Sequence, residues 1–257
     1  MTFLCLPDAA AKEAVGLCTN DKTVIIDAST AHRTAPGWVY GLPELSAERR
    51  AAIRAAKRIA NPGCHATGFI VSVYPLIKAG LLPPSCPLTC FSLTGYSGGG
   101  KKMIADYESA DKPEKLCAPN LYGLTLRHKH LAEMQYITGL AREPVFVPIV
   151  DDYYKGMATS VTFHAEMLNG NVDAKRIYET LDKHYAGEKF VSVRFSDGSE
   201  KLEANHNAGT NRLEITVCGA GADTLAVARF DNLGKGASGA AVQNMNIVLG
   251  FSEDAGL

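Results

Sequence analysis

At 257 residues, 46% hydrophobic and 21% charged, the chain has the size and composition of one large globular domain or two modest ones, each with its own core. A formal net charge of -1 excludes a general attraction to nucleic acid or to an anionic membrane, and no apolar run approaches the roughly 18 residues of a membrane span. Seven irregularly spaced cysteines suit free thiols in a reducing cytoplasm, and the opening "MTFLCLPD", which lacks a basic start and breaks at Pro7, is not a secretory signal.

In chain order, "TFLCL" (residues 2–6) and "TVIIDAS" (residues 23–29) are short apolar runs that predict buried parallel strands, with helical spacing in "DAAAKEAVGLC" between them. A β-α-β unit within thirty residues predicts a doubly wound sheet. The turn-rich "TAPGWVYGLPEL" leads into a helix at "SAERRAAIRAAKR", with Ser46 as its cap and the alanine-interleaved basic residues on a solvated face. "RIANPGC" predicts a short strand broken at Pro62 and Gly63, and "ATGFIVSVYPLIKAGLL" an apolar helix ended by Gly80 and Pro83–Pro84. Beyond it, "LTCFSLTGYS", "PVFVPIV", "MATSVTFHAEM", "FVSVRFS", "RLEITVCGA" and "TLAVARF" predict strands. Only "HLAEMQYITGL" and "VDAKRIYETLDKHYA" interrupt them as helices, so an α+β region on a largely antiparallel sheet follows the α/β start.

Five stretches carry candidate chemistry. In "NPGCHATGF", Cys64 opens an apolar helix, where free N–H groups and the helix dipole lower a thiol's pKa; it reads as a nucleophile, or else as a small packing cysteine. In "LRHKHLAEM", an extended backbone puts His128 and His130 on one side, able to enter one pocket as acid and base; the plainer reading is a solvated pair. A zinc site from these two with Cys64 or Glu133 lacks the usual ligand spacing, and no metal is expected. "TGYSGGGKK" is a glycine-rich turn that faces an anion or a cofactor, or only connects. Arg33 of "DASTAHR", beyond the end of a parallel strand, either holds a phosphate or carboxylate or is an ordinary surface arginine.

The last stretch, "DNLGKGASGAAVQNMN" (residues 231–246), contains G-x-G-x-x-G at Gly234, Gly236 and Gly239. A dinucleotide fingerprint needs a second strand with an acidic residue about 20 positions on, and none follows here. These glycines therefore serve either a close backbone approach beside a helix start or a chain reversal.

Taken in order, "DASTAHR", "YGLPEL", "NPGCHATG", "GYSGGGK", "HKH" and "NLGKGASGAAVQN" closely resemble the N-acetyl-γ-glutamyl-phosphate reductase family in the shorter of its two sequence types, over Phe3 to Phe251. The cysteine motif and the terminal segment are the specific parts. The chain departs from the family in having His65 where an aromatic residue usually follows the cysteine. It also departs in opening after a strand, glycine-rich turn and helix on the order of 60 residues long, so a truncated nucleotide-binding half is expected.

The resemblance implies two domains. Residues 1–63, completed by the C-terminal helix 236–257, are the remainder of a Rossmann-like dinucleotide-binding domain. Residues 64–235 form a catalytic and dimerisation domain. It implies NADPH-dependent reduction of N-acetylglutamyl 5-phosphate to the semialdehyde, in arginine biosynthesis, through a thioester on Cys64, with His130 or alternatively His128 managing the proton. The alternatives are a related semialdehyde dehydrogenase, acting on aspartyl or carrier-bound glutamyl phosphate, or a catalytically silent chain. Ser29, Ser97, Gly98, Asn232, Gly234, Lys235 and Gly236 are the implied NADP(H) contacts; Arg33 and Gly99 are the implied substrate contacts. A homo-oligomer, dimer or tetramer, is expected, because large antiparallel sheets often pair across a two-fold axis.

Overall fold

The first apolar runs form β1 (Thr2–Leu4) and β2 (Ile25–Asp27), joined through α1 (Asp8–Gly16). The structure, a computed structural model, describes residues 1–257 except Asn171 and Ala222. The turn-rich stretch contains one strand the sequence reading leaves out, β3 (Val39–Tyr40). The helix after it, α2 (Ala47–Ala55), is capped as expected, the Arg49 N–H donating to Ser46 Oγ at 3.1 Å. Its basic face is not wholly solvated: Arg50 donates to Glu253 at 2.8 Å and also pairs with Glu188. After β4 (Arg58–Ala60) the small sheet is complete, in the order β1-β2-β4-β3 with every pair parallel.

The apolar helix is α3 (Cys64–Lys78), and eleven of its residues are buried. Phe69, Ile70, Val71, Val73 and Leu76 are fully buried, each contributing about 1.5–3 kcal/mol to stability. Pro75 sits inside the helix and cannot donate to the Val71 carbonyl; Tyr185 Oη donates to that oxygen instead, at 2.8 Å.

Against α3 lies the larger sheet, built from β5 (Thr89–Gly95), β6 (Asn120–Leu121), β7 (Val145–Asp151), β8 (Met157–His164), β9 (Val191–Phe195), β10 (Leu213–Ala220) and β11 (Asp223–Phe230). Its order is β6-β7-β5-β8-β11-β10-β9. Only β5–β7 and β9–β10 are parallel, so the sheet is mixed and largely antiparallel. Gly68 lets α3 lie close on β8: a Cβ there would meet Thr159 Oγ1 at 2.5 Å.

Four further α-helices lie among the described residues. The glycine run continues directly into α4 (Gly100–Glu108), where the sequence reading has only a loop; three glycines hide a helix whose signal starts at Lys101. α5 (Leu131–Thr138) and α6 (Ala174–Tyr185) fall where expected, the latter capped by Asp173 Oδ1 accepting from Arg176 N at 2.8 Å. The last helix, α7 (Gly239–Leu249), returns to the small sheet and shares a core with it: Ala241 and Ile247 pack with Val24, Ile26, Ile53 and Ile59.

Candidate active site

The start of α3 is where the chain's polar residues converge. Gly63 precedes Cys64 in extended conformation, and three side chains crowd its α-carbon. A Cβ there would lie 2.4 Å from Arg33 Nη1, 2.5 Å from Glu133 Oε1 and 2.6 Å from His130 Nε2, so only glycine fits. Glu133, 1% exposed, organises the cluster: it accepts from Arg33 at 2.6 Å, from Tyr40 Oη at 2.7 Å and from the Gly63 N–H at 3.1 Å. Sequence reasoning gave Glu133 no such part; its place three residues after His130 on one helix face was the available signal.

Around Cys64 the imidazoles of His65, His128 and His130 meet. The His128 and His130 ring centroids are 4.7 Å apart, and each is 5.8 Å from that of His65. The expected pairing of His128 and His130 is realised, but not by an extended backbone. A turn leads into α5, in which His130 is the N-terminal flanking residue and its N–H donates to His128 Nδ1 at 3.2 Å. Among the described residues no group of three or more His, Cys, Asp or Glu is arranged to hold a metal ion, so His128, His130, Cys64 and Glu133 make no zinc set.

Electrostatics assign protonation states. Burial pushes the Cys64 thiol up, against the His65 N–H and the Arg33 and Lys129 charges that pull it down. The helix start therefore does not by itself give a low-pKa thiol, as the sequence reading expects. Burial also pushes the histidines down: His65 to about 3, His128 to about 4, and His130 well below its ordinary value, with the Arg33 charge adding to the effect at His130. All three are neutral at pH 7; both ring nitrogens of His65 are engaged and His128 Nδ1 accepts from the His130 N–H, whereas His130 Nε2 has no partner among the described residues.

That neutrality makes folding acid-sensitive. An unfolded imidazole takes up its proton near pH 6.5, whereas the buried ones remain neutral down to their lowered values. Below about pH 6.5 the unfolded chain therefore binds more protons, and stability falls as pH drops toward the folded-state values. Each fully buried histidine costs about 1.4 kcal/mol per pH unit in that window. Urea unfolding is expected to show a lower midpoint at pH 5 than at pH 7 with an unchanged slope; coincident midpoints would contradict it.

The remaining candidates divide by placement. Gly236 lies directly on the nucleophile position, since a Cβ there would come within 2.9 Å of Cys64 Cβ. Asn232 Nδ2 donates to Ser97 Oγ at 2.9 Å, which joins the terminal segment to the glycine loop, and Gly98 adjoins both; Gly99 is exposed beside them. Asn61 ties "NPGC" to the same terminal segment by donating to Ala237 O at 2.9 Å. Gly234 packs on the Thr210 carbonyl instead, in an open cleft of about 390 Å³ that Cys64 does not line. Ser29, at the carboxyl end of β2, gives its hydroxyl hydrogen to Asp27 at 2.7 Å.

Two assignments need revision. Lys235 is 0% exposed, its ammonium held by Glu44 at 2.6 Å and Gln243 at 2.5 Å, so it is a structural ion pair and reaches no cofactor. The Arg33 guanidinium is buried and committed to Glu133, Asn61 O at 3.0 Å and Ala28 O at 3.1 Å, so it acts on the site by holding Glu133 and by its charge.

These features coincide with a known architecture. The family model described as semialdehyde dehydrogenase, NAD binding domain, matches residues 1–53, and that described as semialdehyde dehydrogenase, dimerisation domain, matches residues 64–232; together they define the class. The fold agrees: aspartate semialdehyde dehydrogenase II from Vibrio cholerae aligns with a TM-score of 0.74 at 16% identity, over 96% of this chain and 78% of that one, and the Francisella tularensis enzyme with 0.71 at 14%, over 96% and 81%. Much nearer in sequence are N-acetyl-gamma-glutamyl-phosphate reductase 2 of Nostoc sp., 45% identical over 100% of this chain and 84% of that protein, and the reductase of Rhizobium meliloti, 45% identical over 97% and 83%. The chain belongs to the N-acetyl-gamma-glutamyl-phosphate reductase family.

The cofactor class is a nicotinamide dinucleotide, and the residues present fit one. Asn61 Oδ1 and His130 Nδ1 are buried beside Cys64 without a partner among the described residues, and the exposed backbone of Gly98–Gly100 lies beyond the carboxyl end of β5. The carboxyl ends of β1, β2 and β4 form the edge where open parallel sheets receive ligands.

Proposed function

We propose that the protein reduces N-acetylglutamyl 5-phosphate to N-acetylglutamate 5-semialdehyde with NADPH, in the cytoplasm, with Cys64 as nucleophile and His130 as its acid–base partner. The observation that carries this reading is the placement of His130, 4% exposed, with Nε2 2.6 Å from where a Gly63 Cβ would lie, one residue before Cys64. A thiol whose pKa is raised by burial needs a base to become a nucleophile, and a neutral imidazole is that base. His130 accepts the thiol proton as Cys64 sulfur bonds to the acyl carbon, and the carbon–oxygen bond to phosphate breaks, leaving a thioester. The Arg33 charge and the free N–H groups at the start of α3 stabilise negative charge on the carbonyl oxygen. The dinucleotide, when bound, supplies the hydride that takes this thioester to the aldehyde level. His130 then returns its proton as the carbon–sulfur bond breaks; His128, fixed by the His130 N–H, is the alternative donor.

Ser29, Ser97, Gly98, Asn232, Gly234 and Gly236 would hold the cofactor, and Gly99 the substrate phosphate. Residues 1–63 with 236–257 are the nucleotide-binding unit, and residues 64–235 the catalytic and oligomerising one. The seven free cysteines support a reducing compartment.

The test is side-by-side turnover of N-acetylglutamyl phosphate and aspartyl phosphate, followed by NADPH loss and repeated with NADH. Preference for the first substrate and for NADPH is expected. Preference for aspartyl phosphate, or no saturable NADPH fluorescence change, would overturn the reading.

A further inference from the structure

His65 directly follows Cys64 in the chain, and both of its ring nitrogens are engaged. Nδ1 is 2.7 Å from Ser92 Oγ, and Nε2 is 2.9 Å from Tyr122 Oη. Ser92 Oγ is in turn 2.8 Å from Thr159 Oγ1. Thr159, Ser92 and His65 are 0%, 0% and 3% exposed, while Tyr122 is half-buried, so the row runs from the interior to the site.

Accounting for hydrogens gives the row a direction. Thr159 Oγ1 has Ser92 as its only partner among the described residues, and a buried O–H that donates to nothing is costly. Thr159 therefore donates to Ser92, Ser92 donates to His65 Nδ1, and the neutral imidazole carries its hydrogen on Nε2 and donates to Tyr122. The Tyr122 oxygen is then an acceptor within the row, and its own hydrogen is left to point away from it. Burial, with a contribution from charge on Cys64, holds the phenol protonated, as a donor must be.

We propose that Tyr122 is a further catalytic residue, donating a hydrogen bond to the carbonyl oxygen of the acyl group on Cys64, and that His65 is the positioning residue that frees and aims this hydrogen. The proposal rests on the acyl-enzyme reading above. No proton is transferred: the phenol hydrogen bonds to an oxygen that gains charge as the thioester carbon becomes tetrahedral, and that gain makes the interaction stronger in the transition state.

Tyr122→Phe is expected to lower kcat about a hundredfold with KM little changed. His65→Phe, which removes the Nε2 donor, is expected to lower it ~10-fold by misaiming the phenol. His65→Gln, whose amide N–H can replace Nε2–H, should recover most of that loss. If His65 works through Tyr122, the double variant His65→Phe/Tyr122→Phe is no slower than Tyr122→Phe alone. Multiplying losses, or a Tyr122→Phe enzyme with undiminished kcat, would overturn the proposal. A wild type that leaves N-acetylglutamyl phosphate unconsumed would instead overturn the functional reading and Tyr122's role with it. Independently of turnover, nitrogen-15 NMR of the wild-type imidazoles is expected to show His65 as the Nε2–H tautomer; an Nδ1–H tautomer contradicts the relay even if every variant misfolds.

Discussion

Cys64→Ser is expected to lower kcat for N-acetylglutamyl phosphate by on the order of 10⁴-fold or more while leaving NADPH affinity within a factor of two or so. A serine hydroxyl is a much weaker nucleophile than a thiolate, and the oxygen ester it would form accepts hydride less readily than a thioester, because oxygen donates more resonance to the carbonyl. Stopped-flow phosphate release separates acylation from reduction: wild type should show a burst equal to the enzyme concentration, and the serine variant none. Mass spectrometry of the quenched wild type should find the acyl group on the peptide containing Cys64. Full activity of the variant would remove the nucleophile from the mechanism.

Lys235→Met is expected to destabilise the protein by about 3–5 kcal/mol, because it strands the Glu44 carboxylate in the interior. Both partners are 0% exposed; burial pushes the Glu44 carboxyl up, but the Lys235 charge and hydrogen bonds hold it below its ordinary value. Gln243 Nε2 at 2.8 Å is then the carboxylate's remaining donor, and Oε2 already has none among the described residues. The double variant Lys235→Met/Glu44→Leu removes both charges and is expected to recover most of the loss, since apolar replacement of a whole buried pair is near neutral. Urea unfolding of wild type and the three variants, with Glu44→Leu as the third, measures this directly. A single variant as stable as wild type would mean that the pair contributes nothing.

The contrast between these two residues shows what was legible in the sequence. Cys64 was readable because its setting is local: Pro62 and Gly63 break a strand, an apolar helix follows, and the position follows from neighbours. β2 is readable for a similar reason, since burial on both faces makes it wholly buried and therefore apolar up to Asp27, whereas β1 leaves Thr2 and Phe3 exposed and the two-residue β3 gives no signal. β8 alternates apolar and polar from Val161 to His164 because one face there is covered more than the other. Lys235 is a cofactor contact only as the resemblance implies, and the sequence gives no sign of its ion pair because Glu44 is 191 residues away. Glu133 is weighed in the sequence only as a weak zinc ligand, because its partner Arg33 is 100 residues away. Burial, which pushes the Cys64 thiol up against the pull of the helix start, is not legible in the sequence, whereas helix position is.

The return of α7 to the small sheet sets the timetable of folding. Strands β1, β2 and β4 leave the ribosome before the larger sheet, but Ala241 and Ile247, which complete their core, are made only after every strand of that sheet. The larger sheet with α3 can collapse while its partner sheet is still open, and the small sheet must wait with Val24, Ile26 and Ile59 uncovered. Chaperone occupancy on a nascent chain should accordingly persist on the first sixty residues until residue 249 has cleared the exit tunnel.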